Sequence, residues 1–164
     1  MKEAQNNTVI DIEKLLLLNV KVFKAYLEAN NTFRDNPKPI DEYAVETATD
    51  SAFNFKDKLC RFRLFLKISA LDHEKNKLGL DAEYGIEFHF HIENLNDYLI
   101  HKEGNEVQVD NILGSNLCAI SYSTARGIIL ERMHGTYFDG VILPIVDAGK
   151  ILHEDKKKPI GNWF

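Results

Sequence analysis

A short segment that alternates acidic residues and histidines is the clearest candidate for metal chemistry in this sequence. It reads Glu87-Phe88-His89-Phe90-His91-Ile92-Glu93. On a β-strand every second side chain projects to the same face, about 7 Å from the next one. Two histidines in that arrangement can chelate zinc or iron. The same alternation is also typical of a strand with one solvated face, and a neighbouring run carries cation-repelling Arg61, Arg63 and Lys67.

A second group of polar residues lies between Ile112 and Met133, where Ser121, Ser123 and Thr124 are close in sequence to Arg126. Catalysis would need a nucleophile and a base within reach of each other, whereas small hydroxyl residues on a helix commonly permit close packing. The sequence also lacks a Gly-rich phosphate loop, a G-x-S-x-G motif and a Cys-x-x-Cys pair. We therefore predict a protein that is not an enzyme, with no catalytic residues, metal or cofactor. A metal-dependent enzyme that uses His89 and His91 is the alternative.

The composition is that of an ordinary globular chain. Its 164 residues are 45% hydrophobic, and 20 Lys and Arg against 25 Asp and Glu give a net charge of −5. This length fits one domain, and mild acidity disfavours nucleic acid as a partner. The apolar runs are far shorter than the roughly 20 residues that span a bilayer. A polar N-terminus and only two cysteines indicate a cytoplasmic location without membrane insertion.

The first half of the chain is predicted to form β-strands, which would position the candidate histidines. Apolar side chains alternate from Cys60 to Leu71 and again from Tyr84 to Ile92, with a turn between them. Each run has one apolar and one polar face, which predicts an antiparallel sheet packed on one side. An earlier strand starts near Leu16, and its apolar parity switches after Phe23, which predicts a β-bulge. The Pro- and Asn-rich residues 30–40 that follow this strand are predicted to form a loop.

Helices follow the strands. Apolar residues near i, i+3, i+4 spacing predict a long helix over 112–133, with Gly135 as its C-cap. Pro144 bars a continuous helix, and Asp147 is a candidate N-cap for a short last helix. Strands followed by helices predict an α+β fold. The long helix carries many small residues and looks suited to burial on both faces, which indicates contact with another subunit.

Two adjoining segments resemble the C-terminal half of the SecB-like export chaperones. They are Tyr122–Thr136, where the long helix ends at Gly135, and Val141-Ile142-Leu143-Pro144-Ile145-Val146-Asp147. The resemblance extends over about residues 12–153. It implies a four-stranded antiparallel sheet with a long helix and a short C-terminal helix packed on one face. The chain would then be a single SecB-like domain over 1–164, with a core at about 12–153 and a flexible C-terminal tail.

The same resemblance implies a function and a set of residues. Family members are ATP-independent chaperones that hold unfolded client polypeptides in apolar grooves for export, as homotetramers built from two dimers. The peptide-binding residues would be Phe33, Ile40 and Tyr43 of the crossover loop and, after the long helix, Val141, Ile142, Leu143 and Ile145. The residues assigned to the oligomer interface are Ser121, Tyr122, Ala125 and Ile129.

The downstream partner stays open at this point. Members that dock the translocation ATPase SecA present acidic side chains on the outer face of the sheet. Here the first strand offers Lys21 and Lys24, and the tail carries Lys156-Lys157-Lys158, which disfavours SecA. Other SecB-like proteins serve one dedicated client, such as the antitoxin of a toxin–antitoxin system. The sequence does not separate these two roles.

Overall fold

The computed structural model of the chain describes residues 9–102 and 107–155. Its strands are β1 (Leu15–Ala29), β2 (Glu42–Asn54), β3 (Leu59–Leu71), β4 (Lys77–Ile92), β5 (Leu99–His101) and β6 (Val107–Val109). Its helices are α1 (Asn31–Asp35), α2 (Asn111–Met133) and α3 (Ala148–Asp155). The expected α+β class is confirmed. The predicted flexible tail lies outside the described residues.

Four antiparallel strands form the main sheet in the order β1-β4-β3-β2, so β1 and β2 are its two edges. The alternation predicted for β3 gives it one fully buried face, which includes Phe62, Leu64 and Ile68. β4 starts earlier than the predicted Tyr84, because Leu78, Leu80 and Ala82 continue the same buried face. Short β5 and β6 pair antiparallel as a separate hairpin.

The predicted bulge in β1 is confirmed. The pairing of β1 with β4 shifts register between Val22 and Lys24, and it shifts a second time between Leu17 and Asn19. Because side chains alternate with a period of two, each shift exchanges the faces of the strand. The shift between Val22 and Lys24 places Phe23 on the outer face of the sheet. There its ring packs edge-on against Phe65 at 5.8 Å between centroids.

Helix α2 packs on the inner face of the sheet. The Asp110 side chain caps it by accepting a hydrogen bond from the backbone N–H of Ile112 at 2.9 Å. After its C-terminus Gly135 has φ +75°, as a residue that ends a helix in the left-handed region should. The helix residues that join the core recur every three or four positions, apart from the adjacent Leu117 and Cys118: Leu113, Leu117, Cys118, Tyr122, Ala125, Ile129 and Met133.

Helix α3 lies beside α2 and β2 and completes the layer on the inner face. Asp147 caps it as predicted, since its side chain accepts from the N–H of Gly149 at 2.9 Å. Cys60 and Cys118 are both buried, and burial raises the pKa of the Cys60 thiol to about 12. Within residues 9–102 and 107–155, every helix is too short or too polar to cross a bilayer.

Candidate peptide-binding site

The crossover between β1 and β2 is more ordered than the predicted loop. Asn30 accepts a hydrogen bond from the N–H of Phe33 at 2.8 Å and thereby caps α1. Its own N–H donates to the carbonyl of Gly79 at 2.8 Å. Gly79 has φ +80°, and a Cβ at that position would lie 2.0 Å from the Asn30 side chain. Glycine at 79 therefore lets the crossover approach β4 closely, and this approach carries Phe33 into the core.

Two aromatic pairs join the crossover to the turn after α2. The Phe33 ring meets Tyr137 edge-on at 5.5 Å, and the Tyr43 ring lies 5.8 Å from Phe138. We call these four residues the aromatic junction. Phe33 is only 4% exposed, whereas Tyr43 is half-buried and Tyr137 is exposed. Burial raises the pKa of the Tyr43 hydroxyl.

The segment 141–147 after the junction has no regular secondary structure and is held against α2. The Tyr122 hydroxyl donates to the carbonyl of Pro144 at 2.9 Å, and Arg126 Nε donates to the carbonyl of Leu143 at 3.0 Å. The side chains of Val141 and Leu143 are buried in the core. The segment therefore has an inner side that anchors it and an outer side that faces solvent.

The predicted peptide-binding residues accordingly fall into three groups. Phe33, Val141 and Leu143 are buried, and Ile40 and Tyr43 are half-buried. Ile142 and Ile145 are exposed to 68% and 87%, which is unusually high for such large apolar side chains. The crossover and the post-helix segment do come together through the aromatic junction.

An open groove of about 640 Å³ lies at the other end of β2. Its floor and walls come from the end of β2, from β6, from the start of α2 and from α3. We call it the β2 groove; it is lined by Thr49, Asp50, Ser51, Phe53, Phe55, Val107, Gln108, Val109, Asp110, Asn111, Gly114 and Leu152. The rings of Phe53 and Phe55 stack in parallel, with centroids 6.2 Å apart. The groove combines apolar side chains with the free edge of a β-strand.

The four residues assigned to the oligomer interface lie inside the protomer. Ser121, Tyr122, Ala125 and Ile129 are all buried within the single chain. These side chains pack inside the chain itself, and their assignment to an oligomer interface stays a prediction. The opposite side of α2 is the exposed one, and it carries Ile112 and Leu130.

The histidine-containing face of β4 forms an ion-pair network. Glu87 accepts from Arg63 Nε at 2.9 Å and lies 2.6 Å from His89 Nε2. Burial raises the pKa of the Glu87 carboxyl, but the hydrogen bonds from Arg63 and His89 outweigh it, so the net pKa is lowered. Asp50 lies 3.8 Å from both Arg61 and Arg63. Among the described residues, no three His, Cys, Asp or Glu side chains are placed to hold a metal ion.

Several residues of the site were not singled out from the sequence. Tyr137, Phe138 and Phe55 carried no local signal, because their partners lie far away along the chain. Arg126 was considered for catalysis, yet it bonds to a backbone carbonyl. That bond joins residues 17 positions apart, so no local pattern indicates it.

Of the comparisons with known proteins, the one with solved structures finds a similar architecture. No protein-family model matches the sequence, and no curated protein matches it significantly. Among solved structures, the chain is similar to the SecB-like chaperone Rv1957 of Mycobacterium tuberculosis, solved in complex with a ChAD peptide from the HigA1 antitoxin. The identity is 8%, the TM-score is 0.56, and the match covers 82% of this chain and 92% of that one.

A second match is a protein of unknown function from Streptococcus agalactiae, with 16% identity, a TM-score of 0.41, and coverage of 80% of this chain and 97% of that one. This chain has the four-stranded antiparallel sheet, long helix and short last helix expected from the resemblance. The chain therefore has a SecB-like fold.

Proposed function

We propose that this protein is an ATP-independent molecular chaperone that holds unfolded polypeptides on the inner, helix-bearing side of β2. The observation that carries the proposal is the β2 groove, in which apolar side chains border a strand edge. Beyond β3, β2 has no strand partner within residues 9–102 and 107–155. A free strand edge offers backbone hydrogen bonds to any extended chain, whatever its sequence. Apolar side chains beside that edge would then select for unfolded segments.

The exposed outer side of segment 141–147 offers a second apolar surface. Ile142 and Ile145 offer apolar area to a client, and so do half-buried Ile40 and Tyr43. The buried side chains of Phe33, Val141 and Leu143 anchor these segments in the core. Several weak apolar contacts along one client would add up by avidity without tight local recognition.

We further propose that the chain forms a homotetramer, a dimer of dimers. The free edge of β1 carries exposed Leu16, Leu18 and Tyr26, and the outer side of α2 carries Ile112 and Leu130. Exposed apolar side chains on an edge strand invite pairing with a second copy. Light scattering should give four times the chain mass. Leu16→Asp together with Leu18→Asp should give a smaller species of unchanged fold by circular dichroism, whereas a wild-type monomer would refute the assembly.

Two client roles are compatible with this surface. The related Rv1957 structure contains an antitoxin peptide, which supports a dedicated chaperone of a toxin–antitoxin system as the second candidate. For export, the expected partner SecA is disfavoured, because the acidic Asp50 and Glu87 on the outer face of the sheet lie beside Arg61 and Arg63. A cytoplasmic location suits either role. Sequencing the peptides that co-purify with the protein would separate them: one antitoxin indicates a dedicated chaperone, and many export precursors indicate general export.

The holding activity is tested by aggregation of a chemically unfolded client without nucleotide. We expect wild-type protein to suppress light scattering and Phe55→Asp, which places a charge in the β2 groove, to suppress it far less. His73→Asp adds the same charge on an exposed turn and should behave as wild type. If Phe55→Asp and His73→Asp suppress aggregation equally, the β2 groove is not the client site. If the wild-type protein does not suppress aggregation, the chaperone function is refuted.

A further inference from the structure

A small pocket opens on the outer face of the sheet, the face that points away from α2. Ala52, Arg61 and His89 are paired in register across β2, β3 and β4, so their side chains project to the same side. They line a pocket of about 320 Å³ together with Leu18 and Leu59. Ligand sites in proteins commonly measure roughly 300–1,000 Å³, so the pocket fits a small ligand.

Small and apolar residues form the walls of this pocket. Ala52 leaves space beside the long arginine side chain, and Leu59 is 36% exposed at the preceding outward position of β3. Leu18 is 56% exposed and lies at the register shift between Leu17 and Asn19, where β1 has one residue without a partner in β4. A β-bulge commonly redirects a side chain in this way. Apolar side chains therefore surround a cationic group.

The guanidinium of Arg61 has hydrogen-bond donors that no residue within 9–102 and 107–155 accepts from. The carboxylate oxygens nearest to it are Asp50 Oδ2, 3.8 Å from Nη2, and Glu87 Oε2, 4.0 Å from Nε. Both distances are too long for a hydrogen bond, and Nε is buried without a partner in this part of the chain. A buried donor without an acceptor costs stability, more so when it is charged. A ligand that accepts from Arg61 would remove this cost.

The two carboxylates near this guanidinium have other cationic partners. Glu87 accepts from Arg63 Nε at 2.9 Å and lies 2.6 Å from His89 Nε2. Asp50 lies 3.8 Å from Arg63. Lys21 is in register with Glu87 on the neighbouring strand β1 and adds a third cation to this half of the outer face. Even when His89 is neutral, three cations therefore face two carboxylates, and the excess positive charge favours an anionic ligand.

We propose that this pocket binds a carboxylate that is attached to a small apolar body, either a free aliphatic acid or the last residue of a peptide. The guanidinium of Arg61 donates two parallel hydrogen bonds to the carboxylate, which is the pairing that arginine and carboxylate geometry favours. The apolar body lies against Leu18, Ala52 and Leu59. The pocket is on the opposite face of the sheet from α2, so this site is separate from the proposed client surface and does not depend on it.

Octanoate is a suitable probe, and octanamide is its uncharged control with the same apolar body. In calorimetric titrations of the full-length protein, we expect octanoate to bind and octanamide to bind about tenfold more weakly or less. Arg61→Gln should weaken octanoate binding about 10- to 100-fold, the usual scale for losing a hydrogen bond to a charged group. Arg132→Gln removes an exposed arginine from α2 and should bind octanoate as wild type does. Equal binding of octanoate and octanamide would overturn the proposal.

A second variant fills the pocket without changing its charge. Ala52→Leu places a larger side chain in the pocket and should abolish octanoate binding. Ala44→Leu adds the same side chain at the other end of the same face of β2, opposite Ser69, and should bind octanoate normally. Both positions are outside β1, so the assembly proposed for that edge should not change. Wild-type affinity in Ala52→Leu would refute the site.

Two peptides that end in leucine, one with a free C-terminal carboxylate and one amidated, identify the source of the carboxylate. If only the free-carboxylate peptide binds, and Arg61→Gln abolishes that binding, the ligand is a peptide C-terminus. If octanoate binds and neither peptide does, the ligand is a small acid. Both results support the pocket, whereas wild-type protein that binds neither octanoate nor the free-carboxylate peptide would refute it.

Discussion

Arg126 on α2 donates a hydrogen bond from its Nε to the carbonyl oxygen of Leu143, at 3.0 Å. The bond fixes the middle of segment 141–147, where inward Leu143 and outward Ile142 adjoin. A guanidinium is always charged, and a hydrogen bond from a charged donor is stronger than one between neutral groups. The exposed face that we propose for clients is therefore held from α2.

Removing that donor should loosen the segment. We expect Arg126→Ala to lower the free energy of unfolding by about 1.5–3 kcal/mol, the usual range for a hydrogen bond to a charged group. Urea denaturation measures the change. Arg132→Ala removes an exposed arginine from the same helix and should change stability by less than about 0.5 kcal/mol. Equal effects of the two substitutions would show that the Leu143 contact contributes nothing.

The face of segment 141–147 can be tested without disturbing the core. Ile145 is 87% exposed, so Ile145→Asp should leave the unfolding free energy within about 0.5 kcal/mol of wild type. It should nevertheless weaken binding of a labelled unfolded peptide, measured by fluorescence anisotropy, because it replaces apolar contact area with a charge. Phe33→Ala is the contrasting variant: its ring is buried, so it should cost about 3–5 kcal/mol of stability. Unchanged peptide binding by Ile145→Asp would exclude this face from the client site.

Gly85 provides a test of the bulge in β1. A Cβ at position 85 would lie 2.5 Å from Cε2 of Phe23, whose ring covers the glycine. Gly85→Ala should therefore destabilise the protein by about 1–3 kcal/mol through overpacking. The double variant with Phe23→Ala removes the collision, so its cost should be less than the sum of the single costs. Additive costs in this cycle would mean that the ring does not lie over Gly85.

Glu87 makes a prediction about pH. Hydrogen bonds from Arg63 and His89 lower the pKa of its carboxyl below the ordinary value of 4.5. A group with a lowered folded-state pKa stabilises the protein above its unfolded-state pKa, and this contribution is lost as the pH falls through the folded-state pKa. Glu87→Gln should thus cost stability at pH 7 and progressively less below about pH 4.5. Exposed Glu93→Gln is the control, and a Glu87→Gln cost that does not vary with pH would contradict the assignment.

The sequence predicted most of the fold because its signals were local. Alternation over Cys60–Leu71 and helical spacing over 112–133 each specify an element and its buried face, and the parity switch at Phe23 identified a bulge. The candidate site was harder to predict from the sequence, because the burial of its residues depends on partners that are distant along the chain. Phe33 stands among polar residues but is covered by Tyr137, and the small residues of α2 near Ser121 and Ala125 face the chain's own core.

Hydrogen exchange of the full-length protein with and without an unfolded client, in the absence of nucleotide, tests the central claim most directly. If clients add along the free edge of β2, the amides of residues 49–55 that point away from β3 should exchange more slowly with client bound. Amides of β4, which lies inside the sheet, should be unchanged. Client-dependent protection confined to β1 or absent from β2 would contradict the account.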